Sequence, residues 1–199
     1  MNLPNKLTVL RVALVPPFVF FLLTDFSGWV GDWIALIFFV AAALTDLFDG
    51  KLARKYGLVT NFGKFMDPLA DKLMVSAALI CLVELGRLQA WIAIIIIARE
   101  FIISGFRLIA SDQGIVIAAS MWGKVKTVFQ IIMIGFLIGV PTLSQFCEWL
   151  GSYSPVFPVI GQIFVWTAKI LVVVALALTV ISLIDYILKN KQILKDTAG

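Results

Sequence analysis

Two apolar runs, residues 33–45 and 73–83, carry no charge yet fall short of the ~20 mostly apolar residues that a membrane-spanning helix needs. They reach that length only by running on through carboxylates. Asp46 and Asp49 follow the first run, and Asp67 and Asp71 precede the second. The four acids then belong to helix ends in or near a bilayer rather than to loops beside it.

Composition supports a membrane setting. Of 199 residues, 61% are hydrophobic and 14% charged, too little polar residue to cover the surface of a soluble domain of this length. The chain has no histidine, which removes imidazole bases, histidine metal ligands and Ser-His-Asp chemistry together. Cys81 and Cys147 lie far apart in apolar runs, so a disulfide framework or thiolate metal site is not expected.

The expected fold is all-α: a single integral-membrane domain over 1–199, with spans near 9–25, 30–53, 63–85, 88–110, 122–142 and 158–188. Pro16-Pro17 should kink the first span. Gly151, Pro155 and Pro158 should punctuate a long connection before the last. At the start, Leu3, Leu7, Leu10 and Leu14 recur at helical spacing with Lys6 and Arg11 off the stripe, which reads as a short interfacial helix over 1–8. No repeat, second domain or cleavable signal peptide is evident.

Lysine and arginine placement sets orientation. One side would carry Lys6, Lys51, Arg54, Lys55, Lys64, Arg107, Lys124, Lys126, Lys189, Lys191 and Lys195, and the other only Arg87. Both termini, the 54–62 and 108–121 loops and the aspartate-rich stretch should therefore face the cytoplasm.

Asp46 and Asp49 share a helix face at i, i+3, and Gly63, Asp67 and Asp71 share one at i, i+4, i+8. The short segment KYGLVTNF between them makes the two helices antiparallel neighbours, so all four carboxylates can converge. Packed together they would repel, and some would protonate, unless cations are present. Oxygen-only ligands suit Mg²⁺ or Mn²⁺ rather than zinc, and four acids can hold two such ions. Gly50, Ala53 and Gly63 clear space for a bulky ligand, while Arg54 and Lys64 add charge suited to phosphate.

This stretch, D-x-x-D-G-x-x-A-R-x₈-G-x-x-x-D-x-x-x-D, filled by Asp46, Asp49, Gly50, Ala53, Arg54, Gly63, Asp67 and Asp71, resembles the signature of the CDP-alcohol phosphotransferases. The resemblance implies a six-helix bundle that transfers a substituted phosphoryl group from a CDP-linked donor to a hydroxyl, with release of CMP. It also implies that the four aspartates bind two divalent cations and that Asp71 is the general base. Asp46, Gly50, Ala53, Arg54 and Gly63 would line the CDP pocket.

Other charges bear on the acceptor. Arg107, Lys124 and Lys126 all fall at the cytoplasmic level and can form a pocket for an acceptor phosphate. Lys124 and Lys126 can equally serve orientation alone. Arg99 and Glu100 can be a structural ion pair, with Glu100 holding Arg107 or Arg99. Thr8, Arg11, Lys72 and Arg99 stand as further candidates; Lys72 contacts substrate or only balances charge. The segments PNKLTVLR, AREFIISGFR and GKVKT resemble a bacterial branch of the family that uses CDP-diacylglycerol as donor and sn-glycerol 3-phosphate as acceptor. That resemblance implies a bacterial cytoplasmic membrane location, membrane lipids and a homodimer as partners, and no nucleic acid. Relatives using inositol phosphate, serine or phosphatidylglycerol are the nearer rivals, and an ion-coupled transporter a remote one. Lys169 is open between an inter-helix contact and a snorkelling side chain.

Overall fold

In a computed structural model of the chain, six α-helices and no strand are found among the described residues: α1 Leu3–Leu23, α2 Trp29–Tyr56, α3 Asn61–Glu84, α4 Ala90–Asp112, α5 Met121–Leu150 and α6 Val156–Lys189. The structure describes residues 3–24, 29–56, 61–112, 120–151, 153–154 and 156–190. Within these, the side chains of 3–7, 29, 46–56, 61–68, 71, 109, 111 and 112 lie outside the description.

The helices follow the expected spans, with two differences. Residues 3–8, expected as a separate interfacial helix, are continuous with the first span in α1, and the helix runs on through Pro16 and Pro17. Leu10 is exposed on it while Thr8 and Arg11 are buried, so at these positions the polar side chains pack inward. The long connection expected over 143–157 is largely helical instead. α5 continues through Pro141 to Leu150, and α6 begins at Val156 with Pro158 in its first turn, where a missing N–H costs nothing.

Side-chain placement inverts that of a soluble domain. Ile37, Ile94 and Val173 are about two-thirds exposed, whereas Arg99, Lys126, Thr179 and Ser182 are buried. Lysine is almost never fully buried unless paired, and an apolar exterior of this extent suits a lipid surround. By length and composition, α5 and α6 are each able to cross a bilayer, and Thr8–Leu23 and Val30–Thr45 are shorter apolar stretches.

Small and aromatic residues set the packing. Leu36 of α2 lies against Gly135 and Gly139 of α5, where an added Cβ would stand 3.7 Å from its methyl groups. Glycines four apart let two helices approach closely, a common device in membrane bundles. Phe18 and Phe21 of α1 meet Phe39 and Phe38 of α2, with ring centroids 6.1 and 5.9 Å apart. Gly161 brings α6 against Ser144 and Cys147 of α5.

The turn after α3 shows sequence acting through a cap. Gly86 has φ +67°, the left-handed conformation glycine enters at no steric cost. Its N–H bonds to the Val83 carbonyl, and the Arg87 N–H to the Leu82 carbonyl, the paired pattern that closes a helix C-terminus. The chain then turns into α4, and Arg87 is aimed back into the bundle.

Candidate functional site

A cavity of about 500 Å³ opens among α1 to α5. Its polar lining is Arg11, Lys72, Glu100, Lys124, Thr127 and Gln130, set against apolar walls that include Phe39 and Ile131. The first turn of α5 supplies much of this. Ser120 caps the helix, its Oγ accepting a hydrogen bond from the Gly123 N–H at 3.1 Å. The helix thus begins just ahead of Lys124 and Lys126 and fixes their directions: Lys124 is exposed and reaches the cavity, and Lys126 points inward.

Beneath the cavity lies a buried charge cluster. Lys126 Nζ donates to Glu100 Oε1. Arg99 Nη1 also meets Glu100 Oε1, at 3.3 Å, and Arg99 Nε donates to Ser182 Oγ at 3.1 Å. Ser182 in turn donates to the Thr179 carbonyl at 2.9 Å. The cluster ties α4, α5 and α6 together by groups that would be costly in an apolar interior if unpaired. Of the two alternatives open for Glu100, it holds Arg99 rather than Arg107, with Lys126 as its second partner. The bare backbone of Gly123 admits the Arg99 guanidinium, whose Nη2 would stand 3.4 Å from a Cβ there.

The structure brings together Arg11, Lys72 and Lys124 on the cavity lining, while Thr8 and Arg99 are buried in the surrounding helices. Arg107 is not among the described lining residues; its guanidinium carbon lies 6.0 Å from the Tyr186 ring centroid. Asp46, Asp49, Gly50, Ala53 and Arg54 fall on α2, and Gly63, Asp67 and Asp71 on α3; all these side chains lie outside the described residues. Lys72, the next residue after Asp71, is described, and it ties the cavity to that part of α3.

At the other end of the bundle is a polar cluster that sequence reading missed. Arg87 Nη1 and Nη2 donate to the two Asp32 carboxylate oxygens at 3.1 and 2.9 Å, and Nη1 also reaches the Ile138 carbonyl at 3.1 Å. Thr142 Oγ1 donates to Asp32 Oδ2 at 2.8 Å. The available signal was that Arg87 is the lone cation assigned to that side, with Asp32 the acid in the first turn of α2. Lys169 is placed there too: it shares a second cleft with Arg87, and its ammonium lies 4.8 Å from the Trp166 ring centroid.

The sequence profile described as CDP-alcohol phosphatidyltransferase matches residues 1–181. A Bacillus subtilis protein named CDP-diacylglycerol–glycerol-3-phosphate 3-phosphatidyltransferase is 50% identical over 148 residues, covering 69% of this chain and 76% of that protein. A Mycobacterium tuberculosis protein named probable phosphatidylglycerophosphate synthase is 37% identical over 201 residues, covering 100% of this chain and 84% of its own. A Rickettsia typhi protein with the same name as the Bacillus one is 35% identical over 173 residues, covering 87% of this chain and 92% of its own. The described helices, the cationic cavity against α3 and these matches agree: the chain belongs to the CDP-alcohol phosphatidyltransferase family.

Proposed function

We propose that this protein transfers a phosphatidyl group from CDP-diacylglycerol to the 1-hydroxyl of sn-glycerol 3-phosphate, giving phosphatidylglycerol phosphate and CMP. The observation that carries the reading is the cavity, which sets Arg11, Lys72 and Lys124 over apolar walls. Cations on its lining suit a phosphorylated acceptor and a diphosphate donor, and the walls suit acyl chains. The names of the relatives at up to 50% identity point to the same pair of substrates.

Helix lengths support convergence of the aspartates. Asp49 stands seven residues before the end of α2 and Asp67 six after the start of α3, so each lies about 10 Å from that helix end. Asp46 and Asp71 each stand ten residues from it, about 15 Å. Antiparallel helices would therefore bring the acids level in pairs.

Asp46, Asp49, Asp67 and Asp71 would hold two divalent cations, Mg²⁺ or Mn²⁺; four carboxylates in a chain without histidine fit hard ions. Bound there, the cations would neutralise charge on the diphosphate. Asp71 accepts the proton of the glycerol 1-hydroxyl as its oxygen bonds to the lipid-bearing phosphorus, and the bond from that phosphorus to the CMP oxygen breaks. Asp46, Gly50, Ala53, Arg54 and Gly63 line the CDP pocket. Lys124 and Arg107 offer charge to the acceptor phosphate, and Lys126, held on Glu100, lies beneath them. All six helices span the bacterial cytoplasmic membrane with this site and both termini facing the cytoplasm. Membrane lipids and a second copy of the chain in a homodimer cover the exposed apolar surface.

The test is purified protein with CDP-diacylglycerol, Mg²⁺ or Mn²⁺ and a panel of acceptors, following CMP release. Turnover should appear with glycerol 3-phosphate. Turnover only with inositol phosphate, serine or phosphatidylglycerol would move the acceptor and leave the donor half standing; no CMP release with any would sink the reading.

A further inference from the structure

Gln130 lines the cavity, yet the chemistry above gives it no task. It is 3% exposed, and its Oε1 is buried without a hydrogen-bond partner among the described residues. Gln130 follows Lys126 by one turn on the buried face of α5, so its amide lies one turn deeper than the Lys126–Glu100 pair. The cavity's walls include the apolar Ile131, Met74 and Phe39 beside its charged groups. A buried amide oxygen left unpaired is costly. Its placement points to a donor that arrives with a ligand.

The chemistry of the two substrates separates them. Ester carbonyls and phosphate oxygens of the lipid donor only accept hydrogen bonds, and its ribose hydroxyls and cytosine amine belong to the CDP pocket assigned to α2 and α3, whereas Gln130 is on α5. A hydroxyl of the acceptor can serve the orphan oxygen. Lys124 and Gln130 stand six residues apart, about 9 Å of helix rise. A phosphate held by the long Lys124 side chain and a hydroxyl on the neighbouring carbon backbone can bridge that gap.

We propose that Gln130 Oε1 accepts a hydrogen bond from the non-reacting 2-hydroxyl of the acceptor, making this residue a reader of polyol phosphates. The proposal deepens the functional reading above and rests on it.

The experiment compares kcat/KM for glycerol 3-phosphate with that for propane-1,3-diol monophosphate, which keeps the reacting hydroxyl and the phosphate but lacks the 2-hydroxyl. The full chain is used in detergent with CDP-diacylglycerol. Wild type should prefer glycerol 3-phosphate by at least about tenfold, because the deoxy analogue leaves the amide unpaired. Gln130→Met should bring the ratio near one by raising KM for glycerol 3-phosphate, with KM for CDP-diacylglycerol unchanged. Gln130→Glu, which keeps an acceptor oxygen, should retain the preference. The ratio does not depend on what fraction of a variant is folded. Parity in wild type, or an undiminished ratio in Gln130→Met, would mean that water alone satisfies the amide and would overturn the proposal. Loss of turnover with both acceptors in both variants would assign the side chain to the scaffold, with the same consequence. Failure of the functional reading is separately visible, as wild type that turns over neither compound but uses another acceptor.

Discussion

Lys126 and Glu100 form an ion pair in which the lysine has no exposed surface, while Lys124, two residues earlier on the same helix, is exposed and lines the cavity. Two lysines that look alike in the sequence are therefore given different work. Lys126→Met should lower stability by about 1–3 kcal/mol, since Glu100 loses its buried ammonium partner and keeps only Arg99. The double variant with Glu100→Gln should recover little of that loss in thermal unfolding followed in detergent, because it leaves the buried Arg99 without its carboxylate. Lys124→Met should leave the melting temperature unchanged and raise KM for glycerol 3-phosphate about tenfold or more.

Arg87 and Asp32 anchor the far end of the bundle and are remote from the cavity. Asp32→Asn weakens a bidentate pair and should cost about 2–3 kcal/mol of stability. The same variant at a temperature where it is folded should show wild-type KM for both substrates. A changed KM with unchanged melting would show that this end communicates with the site.

Leu36 between Gly135 and Gly139 makes a graded test of helix approach. A Cβ at Gly139 would meet Leu36 at an ordinary 3.7 Å, so Gly139→Ala should be close to neutral. Gly139→Leu overfills the contact and should cost about 1–3 kcal/mol, read by thermal unfolding.

The aspartate site is tested by metal removal and by substitution. A chelator should abolish CMP release, and added Mg²⁺ or Mn²⁺ should restore it. Asp71→Asn should lower kcat by at least about 100-fold, the usual scale for a lost general base. Near-normal turnover in that variant would remove Asp71 from the role of base.

Much of the fold was legible along the chain. The apolar runs, extended through Asp46, Asp49, Asp67 and Asp71, place α2 and α3 close to their observed bounds, because a helix carries its hydropathy period and its ends locally. Where breakers clustered the local signal misled: Gly151, Pro155 and Pro158 suggested a long connection, but α5 runs on to Leu150, α6 begins at Val156, and the two pack along each other at Gly161 and Cys147. Lys169 was beyond local reading for another reason. It lies twenty residues before Lys189, about 30 Å along α6, and its place beside Trp166 in a cleft with Arg87 is set by how α6 packs.

The sequence by itself determined the helices, the family signature from Asp46 to Asp71 and the chemistry of its donors, since residue type and spacing along one helix settle these. Only the tertiary structure decided that Lys126 is buried on Glu100, that Lys124, Arg11 and Lys72 share a cavity, and that Arg87 closes on Asp32. Those pairings join residues 26 to 113 positions apart. The reason is physical: partners for a buried charge come from whichever helices pack against it, and that choice is made by glycine contacts and ring stacking across the bundle rather than by neighbours in the chain.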